Sequence, residues 1–249
     1  ILAYGTVSQL GFMTAVVGIG SREATMAGLA LVFAHSLFKA ALFMIVGAID
    51  HTSGTRDIRE LSGLGRKEPL VAALATIAAA SMAGIPPLWG FVAKEATLEA
   101  TLHEELLYGM PRNVLLVGFV LGSVLTMTYS LYFLWGAFAR KPEKDTRAEL
   151  IDGTSPAVRD MHRIEFLQWA PPGILVLLTV IFGLIPAPLS NLFNQYLNVR
   201  FPEAEHQDLA LWHGITIPLG LSAVIVAAGA VMFWQRAVVK KAQFERPAL

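Results

Sequence analysis

The chain has 249 residues, of which 55% are hydrophobic and only 15% are charged. Soluble domains usually carry about a quarter charged residues, and here the charges are grouped between long apolar stretches. The formal net charge is zero, so the balance gives no reason to expect a nucleic-acid partner. The lack of cysteine excludes disulfides, thiolate metal sites and cysteine-held iron–sulfur clusters. We expect neither a cofactor nor a metal in this chain.

Six apolar stretches are candidates for membrane-spanning helices, because about 20 apolar residues cross a hydrocarbon core of roughly 30 Å. They are predicted at about 1–20, 24–49, from Leu70 onward, 113–138, 167–190 and 209–235. A soluble all-α protein is the alternative, but soluble helices carry a polar stripe that these stretches mostly lack. The sequence therefore predicts an all-α membrane protein. Because Ile1 opens directly on an apolar stretch with no signal-peptide pattern, we expect a fragment of a longer protein.

The loops between these stretches predict an orientation. Basic residues concentrate in the 50–69 loop, the 139–166 loop and the C-terminal tail, which six spans place on the same side as the N-terminus. The opposite side carries only Arg22, Arg112 and Arg200. Because cytoplasmic loops are enriched in Lys and Arg, both chain ends are predicted to face the cytoplasm, and the 139–166 loop to be mostly solvated. Two basic residues stand outside this pattern, Lys39 and Lys94.

Lys39 lies in the middle of the second stretch, and His35 stands one helical turn earlier on the same face. A charged lysine at mid-bilayer costs at least about 2.5–3.5 kcal/mol, so it must face protein or water. Histidine changes charge near neutral pH, so the pair could pass a proton along one helix face. Alternatively, the two side chains only satisfy carbonyls or a buried acid on a neighbouring helix.

The third stretch, about 70–107, would be about 57 Å long as one helix, which is more than a membrane needs. Its middle reads SMAGIPPLWGFVAKEATLEA. Pro86 and Pro87 remove two backbone donors, and Gly84 and Gly90 loosen the flanking turns. The pattern predicts two helices separated by a break.

We place this break near Gly84–Leu88, with Lys94 and Glu95 on the helix that follows. Irregular backbone at membrane depth is tolerated where it is buried in protein or lines water, and transporters build ion sites from broken helices. The alternative is a plain proline kink that ends a normal span, with Lys94 and Glu95 as an ordinary interfacial pair.

Polar side chains in the first and fourth stretches are further candidates, because they could line a hydrated path. They are Tyr4, Ser8, Gln9, Thr126 and Ser130. Hydrogen bonding that holds helices together is the competing explanation for such hydroxyls. Motifs of soluble enzymes are absent, among them phosphate-binding glycine loops, zinc-type His/Glu pairs and nucleophile elbows. No catalytic residue is therefore predicted.

Four segments resemble, in this order and spacing, the antiporter-like membrane subunits: ILAYGTVSQLGFM, HSLFKAALFMIVGAIDHTSGTRDI, LSGL and SMAGIPPLWGFVAKE. These subunits are the large subunits of Mrp-type sodium/proton antiporters and the related proton-pumping subunits of respiratory complex I. HTSGTRDI, the Lys94–Glu95 pair and LWHG before the last stretch favour the A-type large subunit of the Mrp antiporters. The resemblance is densest over residues 1–99.

The resemblance implies an inverted-repeat fold in which lysines, histidines and water form a chain across the membrane centre. Lys39 and His35 match the HxxFK motif of the family, and Lys94 matches the lysine of its second broken helix, the implied terminal proton-exchange group. Residues 1–107 would form the second half of the proton-translocating domain. Residues 108–249 would form C-terminal transmembrane helices with a cytoplasmic loop and a basic tail.

The implied function is that of one component of a multisubunit monovalent cation/proton antiporter in the bacterial plasma membrane. Lys39, His35, Lys94 and Glu95 would move protons, coupled to Na⁺ efflux. The partners would be other subunits of the complex, H⁺, Na⁺ and the lipid bilayer. One alternative is a chain 5-like proton-pumping subunit of a complex I-type NADH:quinone oxidoreductase. Another is a scaffold with structural lysines. We expect a transporter subunit rather than an enzyme.

Overall fold

The computed structural model describes residues 1–103, 109–203, 208–212 and 214–236. These residues are almost entirely helical, as predicted, with one short 3₁₀ turn at Glu143–Asp145. The α-helices are α1 (Leu2–Gly18), α2 (Arg22–Ser53), α3 (Leu64–Lys67), α4 (Pro69–Ala83), α5 (Trp89–His103), α6 (Met110–Phe138), α7 (Pro156–Asp160), α8 (Phe166–Leu184), α9 (Ala187–Arg200) and α10 (Ile217–Trp234).

Five helices of the described residues are long and apolar enough to cross a membrane, namely α1, α2, α6, α8 and α10. Helices α4 and α5 together make a sixth, broken segment. Large apolar side chains stand exposed on the outer faces of the long helices, for example Val7, Leu121, Leu177 and Val224. Such faces are stable against lipid rather than water. The chain is therefore a multi-pass membrane protein, and its six predicted segments correspond to five unbroken helices and one broken helix.

Helix α2 is the central element and packs against α1, α4, α5, α8 and α9. Ser21 caps its start by accepting the N–H of Ala24 at 3.2 Å, and Gly54 ends it in the left-handed conformation (φ 71°). Ala27, Ala30 and Ala34 are fully buried along its length. Small side chains let neighbouring helices approach closely, so the middle of α2 is enclosed on several sides.

The predicted end of the fifth span, 167–190, is wrong. Helix α8 stops earlier because Ile185 leaves the helical conformation (φ −127°, ψ 78°), and α9 follows as a separate helix. The buried Arg22, predicted as a loop residue, holds α9 against α2. Its guanidinium donates to the side-chain oxygens of Asn194 and Asn198, both at 2.8 Å. The hydropathy pattern predicted an apolar segment over these residues but not that the chain turns between α8 and α9.

The predicted start of the sixth span, 209, is also wrong. Helix α10 begins after Thr216, whose hydroxyl accepts the N–H of Leu219 at 3.3 Å and so caps the helix. The basic tail beyond residue 236 and His213 of the LWHG motif lie outside the described residues.

Half of the residues of the 139–166 loop are exposed, in line with the predicted solvated loop, but five are buried, and through contacts such as those of Lys141 the loop also folds onto residues 54–68. We call these two segments, 54–68 and 139–165, the basic-side plate. Lys141 is only 4% exposed, and its ammonium donates to the carbonyls of Ile58 and Leu61, the latter at 2.6 Å. A lysine that satisfies buried carbonyls lets a charged loop pack against the bundle instead of extending into water.

Lys67 makes a second attachment of the same kind in the basic-side plate. Its ammonium donates to the carbonyls of Val158, Arg159 and Met161 at 2.9, 2.9 and 2.6 Å. These carbonyls lie at the end of α7, where the last turn of a helix leaves acceptors without intrahelical partners. The plate therefore covers one end of the helix bundle.

Candidate proton path

The break in the third segment begins where α4 ends. Gly84 adopts a left-handed conformation (φ 83°), which ends the helix without the strain that a side chain would cause. The N–H of Gly84 donates to the Ser81 carbonyl and that of Ile85 donates to the Ala80 carbonyl, both at 3.0 Å. The last turn of α4 is thus satisfied by the backbone of the break itself.

Pro86 and Pro87 occupy the break, as predicted, and α5 starts at Trp89. The Trp89 indole is fully buried and donates to the carbonyl of Ala30 in α2 at 3.1 Å. Gly183 of α8 lies directly against the break, because a Cβ atom there would collide with the Pro87 carbonyl oxygen. Helices α2 and α8 therefore fix the break from two sides.

A hydroxyl pair that sequence reasoning missed holds the two half-helices together. The Ser81 hydroxyl accepts the N–H of Gly90, in the first turn of α5, at 3.2 Å. The same oxygen lies 2.9 Å from the hydroxyl of Thr179 in α8. Nothing in the apolar sequence around Thr179 marks this contact, since it depends on how α8 packs. These contacts connect the start of α5, and with it Lys94, to α4 and α8.

Lys94 lies just past the break, as predicted, and its ammonium donates to the Ala83 carbonyl at 3.2 Å. Its aliphatic chain crosses Gly84, where a Cβ atom would stand 2.8 Å from the lysine Cδ. The side chain borders a small cavity of about 20 Å³, which Ser123 and Ser222 also line. This volume is sufficient for one water molecule. Lys94 thus borders a small, mostly apolar cavity to which hydroxyl groups contribute the polar part of the lining.

Glu95, the residue after Lys94, contacts the first part of α10. Its buried carboxylate accepts hydrogen bonds from Ser222 at 2.8 Å and Thr216 at 3.5 Å. Ser222 also lines the Lys94 cavity, so one hydroxyl contacts both the cavity and the carboxylate. Thr216 follows the fully exposed Ile215 at the start of α10. Glu95 therefore connects the surroundings of Lys94 to the first turns of α10.

Lys39 is 4% exposed and lies between α1, α2 and α6. Its ammonium donates to the carbonyl of Leu2 at 2.9 Å and stands 6.0 Å from the ring centre of Tyr129. Gly5 makes room for both groups, since a Cβ atom there would lie 2.9 Å from the lysine nitrogen and 2.7 Å from the tyrosine oxygen. Neither Gly5 nor Tyr129 belongs to the predicted site.

His35 lies one turn from Lys39 on the same face of α2, as its spacing predicts. Its Nδ1 atom is buried and has no hydrogen-bond partner among the described residues. Leu31, one turn further along this face, lines the Lys94 cavity. The face of α2 that carries positions 31, 35 and 39 therefore extends from the Lys94 cavity to Lys39, with His35 between them.

A polar seam joins α1 to α6 along the same route; we define it as Gln9, Ser123, Thr126 and Ser130. All four residues are buried. The Gln9 amide donates to the Thr126 hydroxyl at 3.4 Å, and the Ser130 hydroxyl donates to the Thr126 carbonyl at 2.6 Å. Ser123 lines the Lys94 cavity, and positions 123–130 span about 10 Å of helix. The seam thus extends from the Lys94 cavity to the turn of α6 that carries Tyr129.

Tyr4 and Ser8, two of the predicted lining residues, do not join this seam. Tyr4 is 85% exposed, and Ser8 is also exposed on the outer face of α1. Gln9 is the only one of the three predicted α1 residues that lies in the seam. A role for Tyr4 and Ser8 in lining a path stays a prediction.

The family model for the NADH:quinone oxidoreductase/Mrp antiporter transmembrane region matches residues 1–126. The chain belongs to this family, which confirms the resemblance seen in the sequence motifs. The match includes Lys39, Lys94 and Glu95, whereas Tyr129, Ser130 and α10 lie beyond it.

Individual relatives agree with this assignment. The chain is 36% identical over 236 residues to the A/B subunit of a probable K⁺/H⁺ antiporter of Rhizobium meliloti, covering 94% of this chain and 22% of the relative. It is 33% identical over 252 residues to the A1 subunit of a Na⁺/H⁺ antiporter of Staphylococcus aureus, with coverages of 91% and 29%. A solved structure of the Mrp complex from Dietzia sp. DQ12-45-1b matches with a TM-score of 0.78 and 33% identity, over 96% of this chain and 24% of that chain. The chain thus spans about a quarter of the length of these relatives.

Proposed function

We propose that this chain is part of a monovalent cation/proton antiporter subunit, in which a lysine/histidine relay moves protons and is coupled to Na⁺ efflux. The observation that carries the proposal is the pair Lys39 and Lys94. Each is enclosed in an apolar bundle, each donates to a single carbonyl among the described residues, and a polar seam extends between their surroundings. Two similar proteins are named as cation/proton antiporter subunits.

In the proposed relay, Lys39 gives its proton to the buried Nδ1 of His35 or to the seam, and Lys94 receives it. Lys94 then releases a proton from its Nζ atom to a water molecule in the adjacent cavity. The Ser222 hydroxyl passes it to the Glu95 carboxylate, which leads to the side opposite the basic-side plate. Each ammonium has three N–H donors, so a lysine with one carbonyl partner can exchange a proton without breaking a network.

We also propose the membrane and the orientation in which the chain works. The chain would lie in a bacterial plasma membrane with the basic-side plate in the cytoplasm, as the excess of basic residues on that side indicates. The cation path and the coupling would involve other subunits, because the similar solved structure is a complex.

A proton-pumping subunit of a complex I-type NADH:quinone oxidoreductase is the second candidate, because the family description names both systems. Purification of the intact complex separates the two. Small antiporter subunits without a flavin or iron–sulfur chain support the antiporter, whereas copurifying redox subunits support the second candidate.

The direct test is Lys94→Ala in the intact complex, measured as cation-dependent proton movement in everted membrane vesicles with Na⁺ and with K⁺. We expect exchange to be lost while the amount of assembled complex stays normal. Arg66→Ala is the matched control, because it removes an exposed basic residue from the basic-side plate. Normal exchange by a well-assembled Lys94→Ala complex would exclude the relay, and normal exchange by a Lys39→Met/Lys94→Met complex would establish the scaffold alternative.

A further inference from the structure

A pocket on the basic side of the molecule, with a volume of about 350 Å³, plays no part in the proposed relay. It lies between the last two turns of α6 and the basic-side plate. Tyr132 and Trp135 supply its aromatic wall, and Arg59, Lys144 and Arg147 supply its positive charge. Tyrosine and tryptophan at the end of a membrane helix mark the level of the lipid headgroups. The pocket is therefore placed where a headgroup would meet the protein.

The charge of the pocket is positive after its internal pairing is considered. Asp57 accepts from the Arg59 guanidinium at 2.6–2.9 Å and lies 4.0 Å from that of Arg147, so two arginines share one carboxylate. The hydrogen bond from Arg59 lowers the pKa of Asp57 to about 2, so this carboxylate stays charged at physiological pH. Lys144 is exposed, and Asp145 is an acidic residue in the lining. Glu60 also interacts with Arg59, and four basic groups, including Lys141, against three carboxylates still leave a surplus of positive charge.

Lys141 also lines the pocket, but its ammonium is bound to the loop carbonyls described above. The Arg236 guanidinium, at the end of α10, stacks over the Trp135 ring at 4.7 Å from its centre and adds a further positive group beside this wall. Arginine side chains present planar sets of donors that match phosphate oxygens. The chemistry of the pocket is that of a phosphate site.

The surface next to the pocket is apolar and faces lipid. Leu125 and Leu121 are more than half exposed on α6, and Leu125 lies two turns before Tyr132 on the same helix face. An acyl chain lying along Leu125 would place its headgroup at the pocket. A free phosphate ion would gain nothing from this apolar track, so the arrangement favours a lipid as the source of the phosphate.

We propose that this pocket binds the phosphate of an anionic phospholipid, with an acyl chain along the exposed face of α6. Arg147 and Lys144 bind the phosphate oxygens, Arg59 adds charge from behind, and the aromatic wall contacts the glycerol region. Basic pockets beside membrane helices on the cytoplasmic side are suited to anionic headgroups. The bound lipid would connect α6, the basic-side plate and the end of α10.

The test uses the intact membrane protein purified in a neutral detergent, with phosphatidylglycerol titrated in and the bound lipids counted by native mass spectrometry. Lys144→Gln/Arg147→Gln removes two pocket charges, and neither side chain satisfies a buried carbonyl, so the fold should persist. Arg66→Gln/Arg163→Gln is the matched control, because it removes two exposed charges from the same side of the molecule but outside the pocket. Asp57→Asn keeps the shape of the side chain and frees two arginines.

We expect the pocket variant to bind phosphatidylglycerol at least about tenfold more weakly, the control to bind like the unaltered protein, and Asp57→Asn to bind more tightly. Phosphatidylcholine should bind equally weakly to all four proteins. Equal phosphatidylglycerol binding by the pocket variant and the control would overturn the proposal. Displacement of the lipid by inorganic phosphate at comparable concentration would overturn the assignment to a lipid.

Discussion

Two pairs of lysines show how differently one residue type is used in this molecule. Lys141 and Lys39 are equally enclosed, with 4% of each residue exposed. Lys141 donates to two carbonyls in the basic-side plate and Lys67 donates to three. Within the described residues, Lys39 and Lys94 in the bundle each donate to one.

The comparison teaches that coordination, and not burial, separates a structural lysine from a candidate for proton transfer. A neutral lysine amine keeps two N–H donors, so on losing a proton Lys67 would leave one of its three carbonyls unsatisfied, at a cost of about 1–3 kcal/mol, and Lys141 would need both remaining donors for its two carbonyls. An ammonium with one partner loses much less on deprotonation. The plate lysines therefore fasten loops, whereas the bundle lysines have the spare donors that the proposed relay needs.

The largest expected effect is that of Gly183→Ala. This substitution would push the break between α4 and α5 out of place and so shift Lys94, one of the two bundle lysines. The added methyl group would collide with the Pro87 carbonyl, and overpacking of this kind typically costs about 1–3 kcal/mol. Thermal unfolding should begin at a clearly lower temperature, and proton exchange should fall more than the amount of folded protein. Gly220→Ala, where a Cβ atom meets nothing within 4 Å, should be close to neutral in both assays, and a similar response from both variants would argue against a fixed break.

A smaller effect is expected from Thr126→Val, which removes the hydroxyl that accepts from Gln9 in the polar seam but keeps the side-chain shape. Stability should fall by about 1 kcal/mol because one buried amide loses its acceptor, and the rate of exchange should drop several-fold. Thr128→Val is the control, since the Thr128 hydroxyl points toward α10 at the Gly229 carbonyl (3.3 Å) and lies off the seam. Unchanged exchange in Thr126→Val would mean that the seam only holds α1 and α6 together.

The smallest effect is expected from Asp57→Asn. This variant tests whether the contribution of Asp57 to stability stays constant across the physiological pH range. Because the hydrogen bond from Arg59 lowers the pKa of Asp57 from 3.8 to about 2, its stabilising contribution is complete above about pH 4. That contribution is lost as the pH falls toward 2. The difference in melting temperature between the unaltered protein and the variant should be small and constant from pH 8 to about 4, and should then shrink. A difference that fades near pH 6 would implicate another group.

Much of the broken helix could be predicted from the sequence. Pro86 and Pro87 remove donors wherever they occur, and Gly84 accepts the left-handed conformation, so the break is a local property of the chain. The support that holds it could not be predicted. Thr179 and Gly183 act across a helix interface, and their neighbours in sequence carry no mark of it.

The lysines also show that sequence alone does not reveal which groups a side chain contacts. Lys39 and Lys94 stand out because apolar residues surround them in the sequence. In the structure they are also surrounded mostly by apolar side chains of the bundle. Lys141 lies among charged residues, a pattern that predicts a solvated loop, although the structure buries it. A hydropathy pattern records the composition of a segment and does not record which carbonyls a side chain will meet.

The central claim is tested most directly by replacing each of the four lysines with methionine and measuring proton exchange and melting temperature for every variant of the intact complex. Methionine is one heavy atom shorter than lysine, keeps most of its apolar volume and removes its charge and donors. Lys39→Met and Lys94→Met should lose exchange and retain the melting temperature. Lys67→Met and Lys141→Met should melt several degrees lower and exchange protons in proportion to the folded protein. Normal exchange by the two bundle variants, or a loss of stability in them equal to that of the plate variants, would contradict the account.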